Sequence, residues 1–222
     1  MKNKKGFSNI NWAEKLAEIA VVVIGISLAF FVDRSYEAFK NRQTVEMYLK
    51  SLHQDVQSDL QQLDSLLLLL SKKDQKLQWM VDAWTEQWFN DDSLMLAINL
   101  VSNLNFFEMQ VTTFRSLQSS GEINLLRDFR LRRSLFDYYR QGEGLKILHQ
   151  MLQNFFNRFI IPLLLEKVDM RNGKILDQRF FKSAKFRNRI VGFWSLEKQL
   201  ADFYSSLNRK AKILKQMIEQ QL

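Results

Sequence analysis

Chemistry in this sequence would have to come from two histidines, a pair of closely spaced aspartates and one acid set into an apolar run. His53 and His149 each stand far from any other histidine. A metal ion needs three or four converging ligands. His53 and Asp55 are two positions apart, and such residues do not face the same way on a helix. Asp55 and Asp59 do share a helix face, but in a run of Asp and Gln that reads as solvated surface. The chain has no cysteine, which removes disulfides, thiolate ligands and thiol nucleophiles together. Glycine-rich phosphate loops, nucleophile elbows and zinc-ligand spacings are missing as well. No catalytic residue, metal ligand or cofactor is expected, and the chain is not expected to be an enzyme.

The remaining acid, Glu18, sits in the stretch Leu16 to Val32, LAEIAVVVIGISLAFFV, where it is the only charge. The uncharged core, Ile19 to Val32, spans about 21 Å at ~1.5 Å per residue, short of a ~30 Å hydrocarbon slab. Ala13, Leu16 and Ala17 must extend it, with Lys15 reaching outward. Trp12 lies one turn ahead, where an amphipathic ring suits the headgroup region. An ionisable group at a bilayer centre costs roughly 2.5–3.5 kcal/mol, but Glu18 is close to the end of the run, at interface depth. Ala13, Ala17, Gly25 and Ala29 recur every fourth position, broken by Val21, and such a row lets two helices approach closely. Glu18, Gly25, Ala29 and Ala17 are therefore the candidates for association within the membrane. No small-x-small cleavage site follows Phe31, so the run is expected to be an uncleaved anchor. The expected organisation is a short basic cytoplasmic tail over 1–15, a transmembrane helix over 16–33 and a helical bundle domain over 34–222.

Lys2, Lys4, Lys5 and Lys15 precede the run, and Arg34, Lys40, Arg42 and Lys50 follow it, so flanking charge does not decide orientation. A short basic tail is easily retained, whereas a long domain can translocate whatever its charge. This favours a cytoplasmic N-terminus and an extracytoplasmic helical domain. The formal net charge is +8. Basic residues gather at Arg171, Lys174, Arg179, Lys182, Lys185, Arg187 and Arg189, and again at Arg209, Lys210, Lys212 and Lys215. With an anchor present, membrane lipid is the expected partner of the final-helix group, which an up-down bundle places nearest the membrane. The 171–189 group falls at the far tip, where an anionic partner is expected, and nucleic acid is expected for neither.

The elements that must position these residues are helices. Seven glycines and one proline are too few for a strand-rich fold. Neither type occurs between Gly25 and Gly121. Beyond the apolar run, Val45, Leu49, Leu52, Val56, Leu60, Leu63, Leu67, Leu70, Leu77, Val81, Trp84 and Trp88 recur in steps of three or four, with Asp74 in the gap. The spacing predicts that the membrane helix continues unbroken to about Phe89. Asn90 to Ser93 stop it and cap a helix over 94–105. Thr112 or Thr113 caps a short helix ending at Gly121, and Asp128 caps a third, weakened by Gly142 and Gly144 and ended near Pro162. A last helix starts near Ser183 with the seam Phe186, Ile190, Phe193, Leu200, Phe203, Leu207, Ala211, Leu214 and Ile218. The fold class is all-α, an antiparallel bundle in up-down-up-down order.

Two stretches carry a resemblance. Glu18-Ile19-Ala20-Val21-Val22-Val23-Ile24-Gly25-Ile26 with Ala29 resembles the anchor of a family of uncharacterised bacterial single-span membrane proteins. Thr113-Phe114-Arg115-Ser116-Leu117-Gln118-Ser119-Ser120-Gly121, then Leu125-Leu126, Leu131-Arg132-Arg133 and Tyr138-Tyr139, resembles the middle segment of the same family. The sequence departs from that pattern at Ala17, where the family shows glycine, and at Val32 to Tyr36. The resemblance implies an anchored helical protein of the bacterial cytoplasmic membrane, and it implies no reaction.

The expected function is that of a membrane-anchored interaction or scaffold protein, self-associating or binding another membrane protein. Two alternatives stand beside it. One is a ligand-sensing helical module, with Trp79, Trp84, Trp88 and Trp194 lining a pocket for an unspecified small molecule. The other is an accessory subunit of a transport or channel complex, resting on Glu18.

Overall fold

A computed structural model describes residues 12–85 and 91–222. The described residues are helical but for one two-residue antiparallel ribbon and short connections. The chain divides into two units, 1–47 and 48–222. Helix α1, Trp12–Thr85, contributes to both. The expected continuation to Phe89 and the stop at Asn90 lie outside the described residues.

In the first unit every described side chain from Lys15 to Lys40 is exposed, among them Ile24 at 65% and Phe31 at 70%. One helix long and apolar enough to cross a membrane is thus present near the N-terminus.

The second unit is a bundle whose order can be traced from side-chain pairs. After α1 come α2 (Asp91–Ser102), an irregular segment over 103–111, and α3 (Thr112–Ser119). These three form one leg that runs back along α1. Asn103 meets Lys73, Glu108 meets Gln62, Gln110 meets Asp59, and Ser116 meets Tyr48. A 3-10 turn, Glu122–Leu125, leads into α4, Phe129–Phe155. The last helix, α7 (Ala184–Glu219), is antiparallel to α4, with Gln141 on Ser206 and Arg189 on Phe159. It is antiparallel to α1 as well, with His53 on Glu219, Asn208 on Asp64 and Trp194 on Asp74. The up-down-up-down order holds, but its second leg is a broken one.

Local chemistry sets the boundaries. Asp128 accepts from the N–H groups of Arg130 and Leu131 and so caps α4, and Ser183 accepts from Phe186 to cap α7. Gly121 closes the turn after α3 at φ 74°, a conformation that a Cβ disfavours. The threonine cap expected for α3 is not formed: its N-cap is Val111, without a side-chain bond. The helix expected over 94–105 ends at Ser102, where the Ser102 hydroxyl and the Asn103 amide turn back to the carbonyls of Ile98 and Asn99. Such back-bonding competes with the helix ladder.

The break near Pro162 also takes a different form. α4 passes Gly142 and Gly144 without interruption. It then widens into a π turn, Phe156–Ile160, which leads into α5, Ile161–Lys167. Proline has no N–H to give and its ring crowds the carbonyl four residues back. The wider turn, with Ile161 N–H bonding Phe156 O, relieves both before Pro162 is reached. Strands β1 (Val168–Asp169) and β2 (Lys174–Ile175) and the short α6 (Gln178–Phe181) then connect to α7.

The core follows the predicted seams with three one-residue shifts. On α1, Leu49, Leu52, Val56, Leu60, Leu63, Leu70 and Leu77 are buried, but Lys73 and Met80 take the places expected for Asp74 and Val81. On α7 the buried ring is Tyr204, not Phe203.

Candidate functional site

The irregular leg over 103–111 creates the polar interior of the bundle. Outside a helix its N–H groups have no partner four residues away, and a buried N–H left unpaired is costly. Three side chains from the neighbouring helices accept them. Tyr204 of α7 takes Phe107 N–H at 2.9 Å, Gln62 of α1 takes Glu108 N–H at 2.9 Å, and Asp59 of α1 takes Gln110 N–H at 2.9 Å. The segment alternates along its length, with Phe107 buried and Glu108 and Gln110 exposed, as an extended backbone requires.

Asp59 corrects the reading of solvated surface. It is 1% exposed, and its second carboxylate oxygen accepts from the Tyr138 hydroxyl at 2.8 Å. Burial pushes its carboxyl up to about 6, against the opposing effect of the two bonds it accepts. Beside it, the Asp55 Oδ2 and Tyr139 hydroxyl are buried with no hydrogen-bond partner among the described residues. Burial raises the phenols of both Tyr138 and Tyr139, keeping them neutral.

A second buried set ties the far end of the leg. Lys73 and Glu197, each 6% exposed, form an ion pair, and Lys73 also donates to Asn103 O at 3.0 Å. Burial pushes the Glu197 carboxyl up to about 7 and the Lys73 ammonium down, each effect tempered by the partner's charge.

A third set involves His149. The Tyr204 oxygen already accepts Phe107 N–H, and His149 Nε2 lies 2.9 Å from it. With Nε2 as acceptor of the phenol hydrogen, the imidazole carries its own proton on Nδ1. Burial pulls His149 down to about 4, so it is neutral at physiological pH.

Between the extended leg, α3 and α4 lies a groove of about 350 Å³. Phe107, Phe114, Tyr139 and His149 give it aromatic walls, and Phe114 stacks on Tyr139 with ring centroids 4.2 Å apart. Glu108, Arg115, Glu143 and Lys146 stand at its rim. Met109 closes one side, its thioether occupying the space that a Cβ at Gly142 would take.

The residues singled out from sequence lie elsewhere. Ala17, Glu18, Gly25 and Ala29 are all exposed on the first unit, and a Cβ on Gly25 would meet nothing. Glu18 pairs with Lys15 at 3.0 Å. Arg179, Lys182 and Lys185 are exposed around the start of α7. Arg189, in contrast, is held: it donates to Phe159 O in the π turn at 3.2 Å and lies over the Phe180 ring. Lys210 is exposed, Lys212 is 4.0 Å from Asp64, and Lys215 is 3.7 Å from Glu219. About 30 Å of helix separates positions 189 and 210, so the two basic groups are distinct surfaces.

The tryptophans have separate surroundings. Trp79 is 54% exposed, Trp84 packs edge-on against Phe186, and Trp194 donates to Asp74 at 2.7 Å. Trp88 lies outside the described residues. His53 bonds Glu219, and no three His, Asp or Glu side chains converge as a metal site among the described residues.

The fold and sites thus define an all-α chain with one helix suited to a membrane, a polar bundle interior and an aromatic groove. Residues 18–160 match DUF6090, a family of unknown function, and the chain belongs to that family. The matched region contains both stretches that carried the resemblance, and it contains the whole groove; the basic groups around α7 lie beyond it. No curated protein and no solved structure matches the chain.

Proposed function

We propose that this is a single-span membrane-anchored helical interaction protein, held in the bacterial cytoplasmic membrane by residues 16–32 and self-associating through that span. The supporting observation is the uncovered state of the apolar helix: from Lys15 to Val32 no side chain is buried within the chain itself. Each large apolar side chain left in water forgoes roughly 1.5–3 kcal/mol. Lipid or a second helix supplies the missing environment. The open face at Gly25 suits close helix approach, with Ala17 and Ala29 on the same row. The Lys15–Glu18 pair favours an interfacial role for Glu18 over an ion pathway.

The test exploits the cysteine-free chain. Single cysteines at Ala17, Ala29 or, on the opposite face, Val23 are oxidised in native membranes. Self-association through the small-residue row gives disulfide dimers from Ala17→Cys and Ala29→Cys but not Val23→Cys, and Gly25→Leu abolishes them. Equal dimer yield from all three positions, or none from any, overturns the association. The proposed cytoplasmic N-terminus is tested with Lys182→Cys at an exposed site. Labelling by an impermeant maleimide in intact spheroplasts supports an extracytoplasmic bundle, and labelling only after lysis reverses it.

A further inference from the structure

The groove between the extended leg, α3 and α4 carries an inference that does not depend on the membrane reading. Its volume of about 350 Å³ is at the lower end of small-molecule sites. That size suits one ring with a short polar appendage better than a dinucleotide or other large cofactor. The walls are aromatic and rigid. Phe114 and Tyr139 are stacked and buried, and Phe107 is fixed by its N–H bond to Tyr204. His149, held by the same hydroxyl, adds an imidazole that burial keeps neutral. Nothing on the walls carries charge.

The rim is different. Arg115 of α3 and Lys146 of α4 are cations, and Glu108 of the extended leg and Glu143 of α4 are anions. All four are exposed, and no ion pair engages any of them among the described residues. A rim of two cations would select an anion, and a rim of two carboxylates an amine. A mixed rim complements a ligand that bears both charges close together, above an apolar body that enters the groove. We propose that this groove binds a free aromatic α-amino acid, its ring against Phe107, Phe114 and Tyr139, its carboxylate toward Arg115 and Lys146, and its ammonium toward Glu108 and Glu143.

The experiment titrates the full chain in non-ionic detergent micelles with L-phenylalanine and two one-charge analogues, 3-phenylpropionate and phenethylamine, by calorimetry and ligand-observed NMR. Phenylalanine is expected to bind saturably, and each analogue at least tenfold more weakly. The double variant Arg115→Gln/Lys146→Gln weakens phenylalanine and 3-phenylpropionate at least tenfold and leaves phenethylamine unchanged. Glu108→Gln/Glu143→Gln does the reverse, weakening phenylalanine and phenethylamine but not 3-phenylpropionate. All four positions are exposed, so the fold is retained, and circular dichroism verifies this. Absence of saturable phenylalanine binding to folded protein overturns the proposal. So does binding that neither double variant alters, which would place the ligand elsewhere.

Discussion

Replacing Asp59 with asparagine should change how stability depends on pH more than it changes stability at any one pH. The carboxylate is 1% exposed and accepts from Gln110 N–H and the Tyr138 hydroxyl, and burial holds its pKa at about 6 against an ordinary 3.8. A displacement of about two pH units corresponds to roughly 3 kcal/mol. The sign follows from proton counting. Between about pH 4 and 6 the folded state holds a proton that the unfolded state has released, so stability falls as pH rises through that window. Asp59 therefore favours the folded chain most below pH 4, and that contribution is gone above about pH 7. Asparagine keeps one acceptor, loses the charge, and leaves one donor short, a cost of about 1 kcal/mol with little pH dependence. Urea unfolding of the full chain in detergent micelles, followed by circular dichroism at pH 5, 6, 7 and 8, measures both slopes. From pH 8 down to pH 5, the native chain should gain about 1.4 kcal/mol more than Asp59→Asn does, the rest of the ~3 kcal/mol appearing only below pH 5. Parallel slopes would refute the buried, destabilised carboxylate. The comparison with the variant matters because Glu197 titrates in the same range.

The Lys73–Glu197 pair gives a contrasting expectation. Removing one partner, by Lys73→Met or Glu197→Leu, should cost about 3–5 kcal/mol, whereas the double variant should recover most of that loss, and denaturant midpoints for the three proteins measure the difference. Asp128→Ala should lower stability by about 1 kcal/mol by uncapping α4, with Asp128→Asn close to native, as read from thermal melts. Gly121→Ala should cost about 1 kcal/mol because its φ of 74° disfavours a Cβ, again measured as a shift in denaturant midpoint.

Much of the architecture was legible because it rests on local signals. Asp128 and Ser183 have the side chains that cap helices, Gly121 has the freedom its turn requires, and the three-four spacing of α7 has few competitors. The errors at Lys73, Glu197 and Asp59 share one physical origin: buried positions filled by residues usually found in water. On α1 the steps 70-73-77-80-84 and 70-74-77-81-84 are equally helical, and a preference against buried lysine selects the wrong one. On α7 the expected seam jumps from Phe193 to Leu200, and Glu197 fills that gap. Asp59 falls three residues beyond Val56 on the buried face, so spacing pointed inward while composition pointed outward. The groove was less accessible still. It depends on an extended leg whose N–H groups are satisfied by Asp59, Gln62 and Tyr204, partners distant in sequence that no local pattern connects. The weak alternation from Phe107 to Val111 was its only trace. The π turn was signalled by Pro162, but which way the chain would relieve the proline was decided by packing, with Arg189 supplying a donor to Phe159 O.

The anchor is tested most directly by partition of the expressed chain in bacterial membranes washed with alkaline carbonate, with the intact mass of the retained protein determined in the same fraction. The account predicts that the protein stays with the membrane at a mass that includes residues 16–32, and that deleting those residues releases the remainder into the soluble fraction. Release of the complete chain by carbonate, or a retained species lacking the apolar segment, would contradict it.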